Sequence, residues 1–118
     1  MDILFIYNLE NKDYDEVTLK VEESMKDIIK EKIINVKRKD KTNIRTKADV
    51  YVMISDESEE TDIFYDKIKN KNKSIVLTNN LSSSHILNLI NHTKNICYMK
   101  NDIRIIVRKI YDVYMENV

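Results

Sequence analysis

Two stretches of this chain hold the residue types that could do chemistry. Ser55, Asp56, Glu57, Ser58, Glu59, Glu60 and Thr61 follow one apolar run, and Thr78, Asn79, Asn80, Leu81, Ser82, Ser83 and Ser84 follow another. Both put hydroxyls, amides or carboxylates where a strand ends, and the ligand edge of a βαβ unit lies at its strand ends. The carboxylates Asp56 to Glu60 are of the type that does acid–base work, but on a helix N-terminus they are better explained as caps, with Ser58 or Asp56 as the capping residue. Cys97 falls inside a strand pattern and reads as a small buried apolar side chain. His85 and His92 are seven residues apart, too far for the four-residue step that lets two helical ligands share a metal. Both read as surface or half-buried, and neither a metal nor a cofactor is expected.

The elements that must position these residues follow from periodicity. Asp2–Asn8 is a run of strand formers apolar on both faces, as in a strand covered by helices on both sides. Asp13 with Glu16 resembles a capping box, and Tyr14, Val17, Val21, Met25 and Ile28 then recur at helical steps as far as Lys30 or Glu31. Ile33–Val36 is a short second strand near a sheet edge. Lys37–Lys47 carries six basic residues against one acid; it reads as a solvated connection, with an anion-binding lip as the alternative. Val50–Ser55, Ser74–Thr78 and Asn95–Met99 are the remaining strands. Between them lie a helix with a narrow stripe of Phe64 and Ile68 with Thr61 or Tyr65, and one capped from Ser82–Ser84 that buries Ile86, Leu87 and Ile90. A final helix, capped by Asp102, carries the cleanest stripe: Ile103, Ile106, Val107, Ile110, Val113 and Tyr114.

Such alternation with short connections predicts a single α/β domain over residues 1–118, a three-layer flavodoxin-like sandwich with a five-stranded parallel sheet in the order 2-1-3-4-5. Its switch point lies between the first and third strands, so Asn8–Lys12, Asp56–Thr61 and Thr78–Ser84 should line the ligand crevice.

Composition removes whole classes of function. The chain has no glycine, which excludes the nucleotide P-loop, the dinucleotide turn and the nucleophile elbow, all of which need glycine for close backbone approach. Twenty basic and twenty acidic residues give zero net charge, with no global field for nucleic acid or membrane. The seven tyrosines and two phenylalanines do not alternate with basic residues as in a single-strand binder. One cysteine fits a reducing compartment, no apolar run approaches the roughly 20 residues of a membrane span, and the first residues lack a basic leader. A cytoplasmic protein is expected.

The sequence Ile-Ser-Asp-Glu-Ser-Glu-Glu-Thr (54–61), then a helix, then Ile-Val-Leu-Thr-Asn-Asn-Leu-Ser-Ser-Ser (75–84) resembles the second half of a sugar isomerase (SIS) domain, over Ala48 to Met99. Ser58, Glu60 and Thr61 match the family's Ser, Glu and Thr; Ser55 matches its first Ser with one residue inserted; Thr78 and one of Ser82 to Ser84 match its second turn. The resemblance implies a phosphosugar site on Ser55, Ser58, Glu60, Thr61, Thr78, Asn79, Ser82 and Ser84. Glu59 stands in place of the family's glycine, and four acids crowd the place of the phosphate. Two like charges 4 Å apart repel by about 4 kcal/mol at an effective dielectric near 20.

The chain also resembles a response-regulator receiver domain. Asp56, Thr78 and Lys100 fall at or near that family's phosphoacceptor, hydroxyl and lysine positions, while Tyr7, Asn8 and Leu9 replace its acidic pair. The expectation is a non-catalytic regulatory or partner-binding module on a degenerate SIS-like frame, engaging a protein partner and, as either family implies, a second copy of itself. A phosphosugar-binding SIS domain and a pseudo-receiver are the alternatives.

Overall fold

The computed structural model describes residues 1–29, 33–40 and 47–117. Short β-branched and aromatic runs form the strands β1 (Asp2–Ile6), β2 (Asn35–Lys39), β3 (Val50–Ile54), β4 (Ser74–Thr78) and β5 (Ile96–Tyr98). The helices are α1 (Lys12–Ile28), α2 (Ser58–Lys67), α3 (Ser83–Ile90) and α4 (Ile103–Glu116), with a 3₁₀ turn at Lys71–Lys73. All strand pairs are parallel and the order is β2-β1-β3-β4-β5, the flavodoxin-like arrangement expected from the alternation.

Successive side chains of each strand enter opposite layers. Ile3, Phe5, Val50, Val52, Ile54, Ile75 and Leu77 face a layer with Val21 and Met25 of α1 and Ile106, Val107, Ile110 and Val113 of α4. Leu4, Ile6, Met53 and Val76 face Phe64 and Tyr65 of α2 and Leu89 of α3. With both faces covered, β1, β3 and β4 need apolar residues at nearly every position. Each fully buried aliphatic side chain contributes about 2 kcal/mol of burial.

Several boundaries differ from the sequence expectation. The second strand is Asn35–Lys39 rather than Ile33–Val36, so Lys37, Arg38 and Lys39 belong to a strand and not to a connection. Their charge masks the pattern, but β2 lies at the sheet edge, where charged side chains are tolerated and discourage further pairing. Arg38 lays its guanidinium 5.7 Å from the Phe5 ring centre and donates to Glu22 Oε1 at 2.9 Å and Thr18 Oγ1 at 3.1 Å. Lys41 and Arg45 lie outside the described residues, as does the helix end expected at Lys30 or Glu31; α1 itself closes at Ile28, which is exposed. The α1 cap is Asn11, whose side chain accepts from Tyr14 N–H, in place of the Asp13/Glu16 box. α3 turns His85 and Leu89 inward and leaves Leu87 and Ile90 exposed, the reverse of the stripe expected for those two residues. Among the described residues, no helix is long and apolar enough to cross a membrane.

Candidate functional site: the loop edge around Asp56

At the carboxyl end of the sheet α1 leaves β1 toward one layer and α2 leaves β3 toward the other, so the switch point falls between these two strands. Asp56, the second residue after β3, spans it. Its Oδ1 accepts from Thr78 Oγ1 at 2.9 Å, Asn79 N–H at 2.6 Å and Asn80 N–H at 3.2 Å. Its Oδ2 accepts from the Tyr14 hydroxyl at 3.1 Å, and Asn80 Nδ2 donates to the Asp56 carbonyl at 3.0 Å. One carboxylate therefore joins the first turn of α1, the β3–α2 loop and the β4–α3 loop.

The electrostatics follow from these donors. Burial alone would raise the Asp56 carboxyl, but donation from Asn79 N–H, Thr78, Tyr14 and Asn80 N–H outweighs it and holds the group below the usual carboxylate range. Tyr14 moves upward, first through burial and then through the charge of Asp56 and its hydrogen bond, with Glu60 and Glu57 adding to the negative field.

Sequence reasoning assigned Asp56 or Ser58 to the cap of α2. The structure places Glu57 at that cap, with no side-chain hydrogen bond to the helix. Asp56 turns to the neighbouring loop instead, because a carboxylate there meets two backbone N–H groups and two hydroxyls at once, whereas a cap offers it one or two N–H groups.

The other expected site residues divide by where they point. Ser55 is buried; its Oγ accepts from Glu57 N–H at 3.0 Å and lies 3.3 Å from Glu60 Oε2, toward which it donates. Ser58 Oγ lies 2.8 Å from His85 Nδ1, and His85 Nε2 lies 3.3 Å from Thr78 Oγ1. Thr78 has one proton, directed at Asp56, so its oxygen accepts from Asn80 N–H at 3.1 Å and from His85. In the neutral ring the His85 proton thus sits on Nε2, and Ser58 donates to Nδ1. Ser58, His85, Thr78 and Asp56 form one continuous relay.

Asn79 brings its N–H to Asp56, while its side-chain Oδ1 is buried with no partner among the described residues. Thr61 is buried and donates to the Ser58 carbonyl at 2.8 Å, so it braces α2 from inside. Ser82 caps α3 by accepting from His85 N–H, and Ser84 is exposed in the first turn of that helix. Ser55, Ser58, Thr78 and Asn79 thus gather around the Asp56 loop, while Thr61 and Ser84 do not. Lys100 is exposed in the turn after β5.

Two participants escaped the sequence reading. Tyr14 was assigned to the buried stripe of α1, and its hydroxyl gives no periodic signal. His85 was read as surface or half-buried, yet is 2% exposed. A histidine at the third position after the Ser82 cap, on the same helix side as Leu89, carries the only local hint. His92 is half-buried, stacked 4.7 Å from Tyr65 and 2.6 Å from Asp62 Oδ1, which ties α3 to α2 away from the loop edge.

Chemically, the arrangement supplies a hydroxyl–imidazole–hydroxyl–carboxylate chain and a set of anion-binding donors already occupied by Asp56. Among the described residues no three His, Cys, Asp or Glu side chains gather to hold a metal ion. No protein-family model matches the chain, and comparison with curated proteins finds no match.

Proposed function

We propose that the protein is a non-catalytic regulatory or partner-binding module, cytoplasmic, on an SIS-like variant of the flavodoxin-like frame. The observation that carries this reading is the Asp56 carboxylate, which takes the Thr78 hydroxyl, the Asn79 and Asn80 N–H groups and the Tyr14 hydroxyl. These are the donors an incoming phosphate would need, and they already hold an anion covalently attached to the chain. A phosphate dianion beside Asp56, Glu57 and Glu60 would meet repulsion, and the donors that could offset it are already engaged by Asp56. Binding is then left to surfaces that recognise protein.

The test is thermal unfolding of the wild type against sugar phosphates, amino-sugar phosphates and nucleotides, with and without Mg²⁺. The expected result is a flat panel. A ligand at a hundred times its dissociation constant stabilises the native state by about 2.7 kcal/mol, a shift of several degrees. Such a shift with a phosphosugar, lost on Ser58→Ala with Thr78→Ala, refutes the reading.

One observation favours the phosphosugar alternative: Asn79 Oδ1 is buried with no partner among the described residues, and opening of its loop would offer that acceptor to a sugar hydroxyl. The same panel with unphosphorylated sugars separates it from an anion site. The pseudo-receiver alternative draws on the Asp56–Thr78 contact, and loss of a partner on changing the exposed face of α4 would favour it.

A further inference from the structure

α3 is apolar on two sides. It buries His85 and Leu89, yet its outer side carries Leu87 and Ile90 at 63% and 57% exposure, and Leu81 just before it is 58% exposed. Leu87 and Ile90 are three residues apart and share one face.

The surroundings of this face differ from those of other exposed apolar residues. Leu19 on α1 stands among Glu16, Lys20 and Glu23, and Ile105 on α4 among Arg104, Arg108 and Lys109. Around Leu87 the helical neighbours are Ser83, Ser84, Ile90 and Asn91. Residues 74–93 contain no Asp, Glu, Lys or Arg at all, in a chain that is 34% charged. The buried strand β4 accounts for the first five; the rest cover the β4–α3 turn, α3 and the turn after it, of which His85, Leu89 and Thr93 are buried.

We propose that this face is the interface of a homodimer, in which α3 packs against α3 of a second copy about a twofold axis. The charge pattern selects the occupant. An isologous contact sets one patch against itself, so a face of one sign repels its own copy and an uncharged one does not. A lipid surface calls for Lys and Arg on the polar side of the helix, and α3 has neither. A strongly charged protein partner would find no countercharge. Leu81, Leu87, Ile90 and their Ser/Asn rim make a small patch, which places the contact at the low end of the roughly 1,200–2,000 Å² buried by specific interfaces. The dimer is therefore a dissociating one. It does not depend on the state of the Asp56 loop edge, which lies at the end of the sheet rather than on the outer helix face.

Sedimentation velocity on the wild type, from about 5 to about 500 μM, tests this at the weak end of interface strength. The average mass should rise from the 14.1 kDa protomer toward twice that value. Leu87→Lys with Ile90→Lys should remain a monomer throughout while keeping wild-type circular dichroism, and the milder Leu87→Ser with Ile90→Ser should dissociate at tenfold higher concentration than the wild type or more. Leu19→Lys should associate normally. A wild type that stays monomeric, a Lys double variant that associates like the wild type, or a Leu19→Lys that dissociates equally overturns the proposal. A monomer that sediments with phosphatidylcholine vesicles overturns it in favour of a lipid surface.

Discussion

Replacing Asp56 by Ala removes the acceptor that joins the first turn of α1 to two loops and leaves the Thr78 hydroxyl, the Asn79 N–H and the Tyr14 hydroxyl without their partner. A hydrogen bond to a charged group is worth about 1.5–3 kcal/mol, but Asp56 is partly exposed and water can replace some of its contacts. The expected loss is about 3 kcal/mol, or roughly 10 °C in Tm for a domain of this size. Asp56→Asn keeps Oδ1 as an acceptor and should lose about 1 kcal/mol. Tyr14→Phe should cost about 1 kcal/mol in the wild type and close to nothing in Asp56→Ala, because the two act on one bond. Acidity gives an independent check. The folded carboxyl lies below its unfolded value near 3.9, so its contribution is complete above that value and disappears as pH falls through the folded one. Urea unfolding followed by circular dichroism should therefore show a gap between wild type and Asp56→Ala that is constant from about pH 5 to 8 and narrows below pH 4. Formate or acetate at pH 7 should restore part of the stability of Asp56→Ala and leave the wild type unchanged; at ten times its dissociation constant the added anion returns about 1.4 kcal/mol. A loss below about 1 kcal/mol, or a gap unchanged at pH 3, refutes the view that this carboxylate gathers the loop edge.

Other expectations are simpler to check. His85→Ala should cost about 3 kcal/mol in equilibrium unfolding, through a cavity and the Ser58 hydroxyl left without its acceptor, and Ser58→Ala only about 1; equal small losses would mean that the relay is not formed. Asn11→Ala should destabilise by about 1 kcal/mol and Asp13→Ala by less than about 0.5, since Asn11 makes the cap bond; the reverse order would restore the capping box. Tyr7, Tyr14 and Tyr65 are all shifted upward chiefly by burial, Tyr65 to about 12. Their stabilising share is complete below the unfolded value near pH 10 and is lost as pH rises through the folded one. Absorbance at 295 nm should show these three ionising late and together with unfolding, and a single transition near pH 10 would contradict their burial.

The order and type of the elements were legible because each is written in local spacing. A parallel sheet covered on both faces needs uninterrupted apolar runs, and Ile-Leu-Phe-Ile, Val-Tyr-Val-Met-Ile and Ser-Ile-Val-Leu-Thr supply them. Right-handed crossovers then leave few strand orders, and the loops that meet at the switch point follow from the order. β2 was misplaced because an edge strand needs only one covered face, and Lys-Arg-Lys hid its pairing with β1.

What the chain's local pattern could not contain was decided by contacts between distant residues. Asp56 beside Ser58 reads as a cap, since capping spans three residues, but its donors are Tyr14 and Thr78 to Asn80, 22 to 42 positions away. α3 presents two apolar stripes, and periodicity cannot say which meets the sheet; the packing of His85 between Ser58 and Thr78 selects one and leaves Leu87 and Ile90 outside. Sequence alone determined the frame and the loops that converge, because backbone geometry imposes both. The tertiary structure alone decided which side chains satisfy one another there, because buried donors take whatever acceptor the packed loops bring within reach.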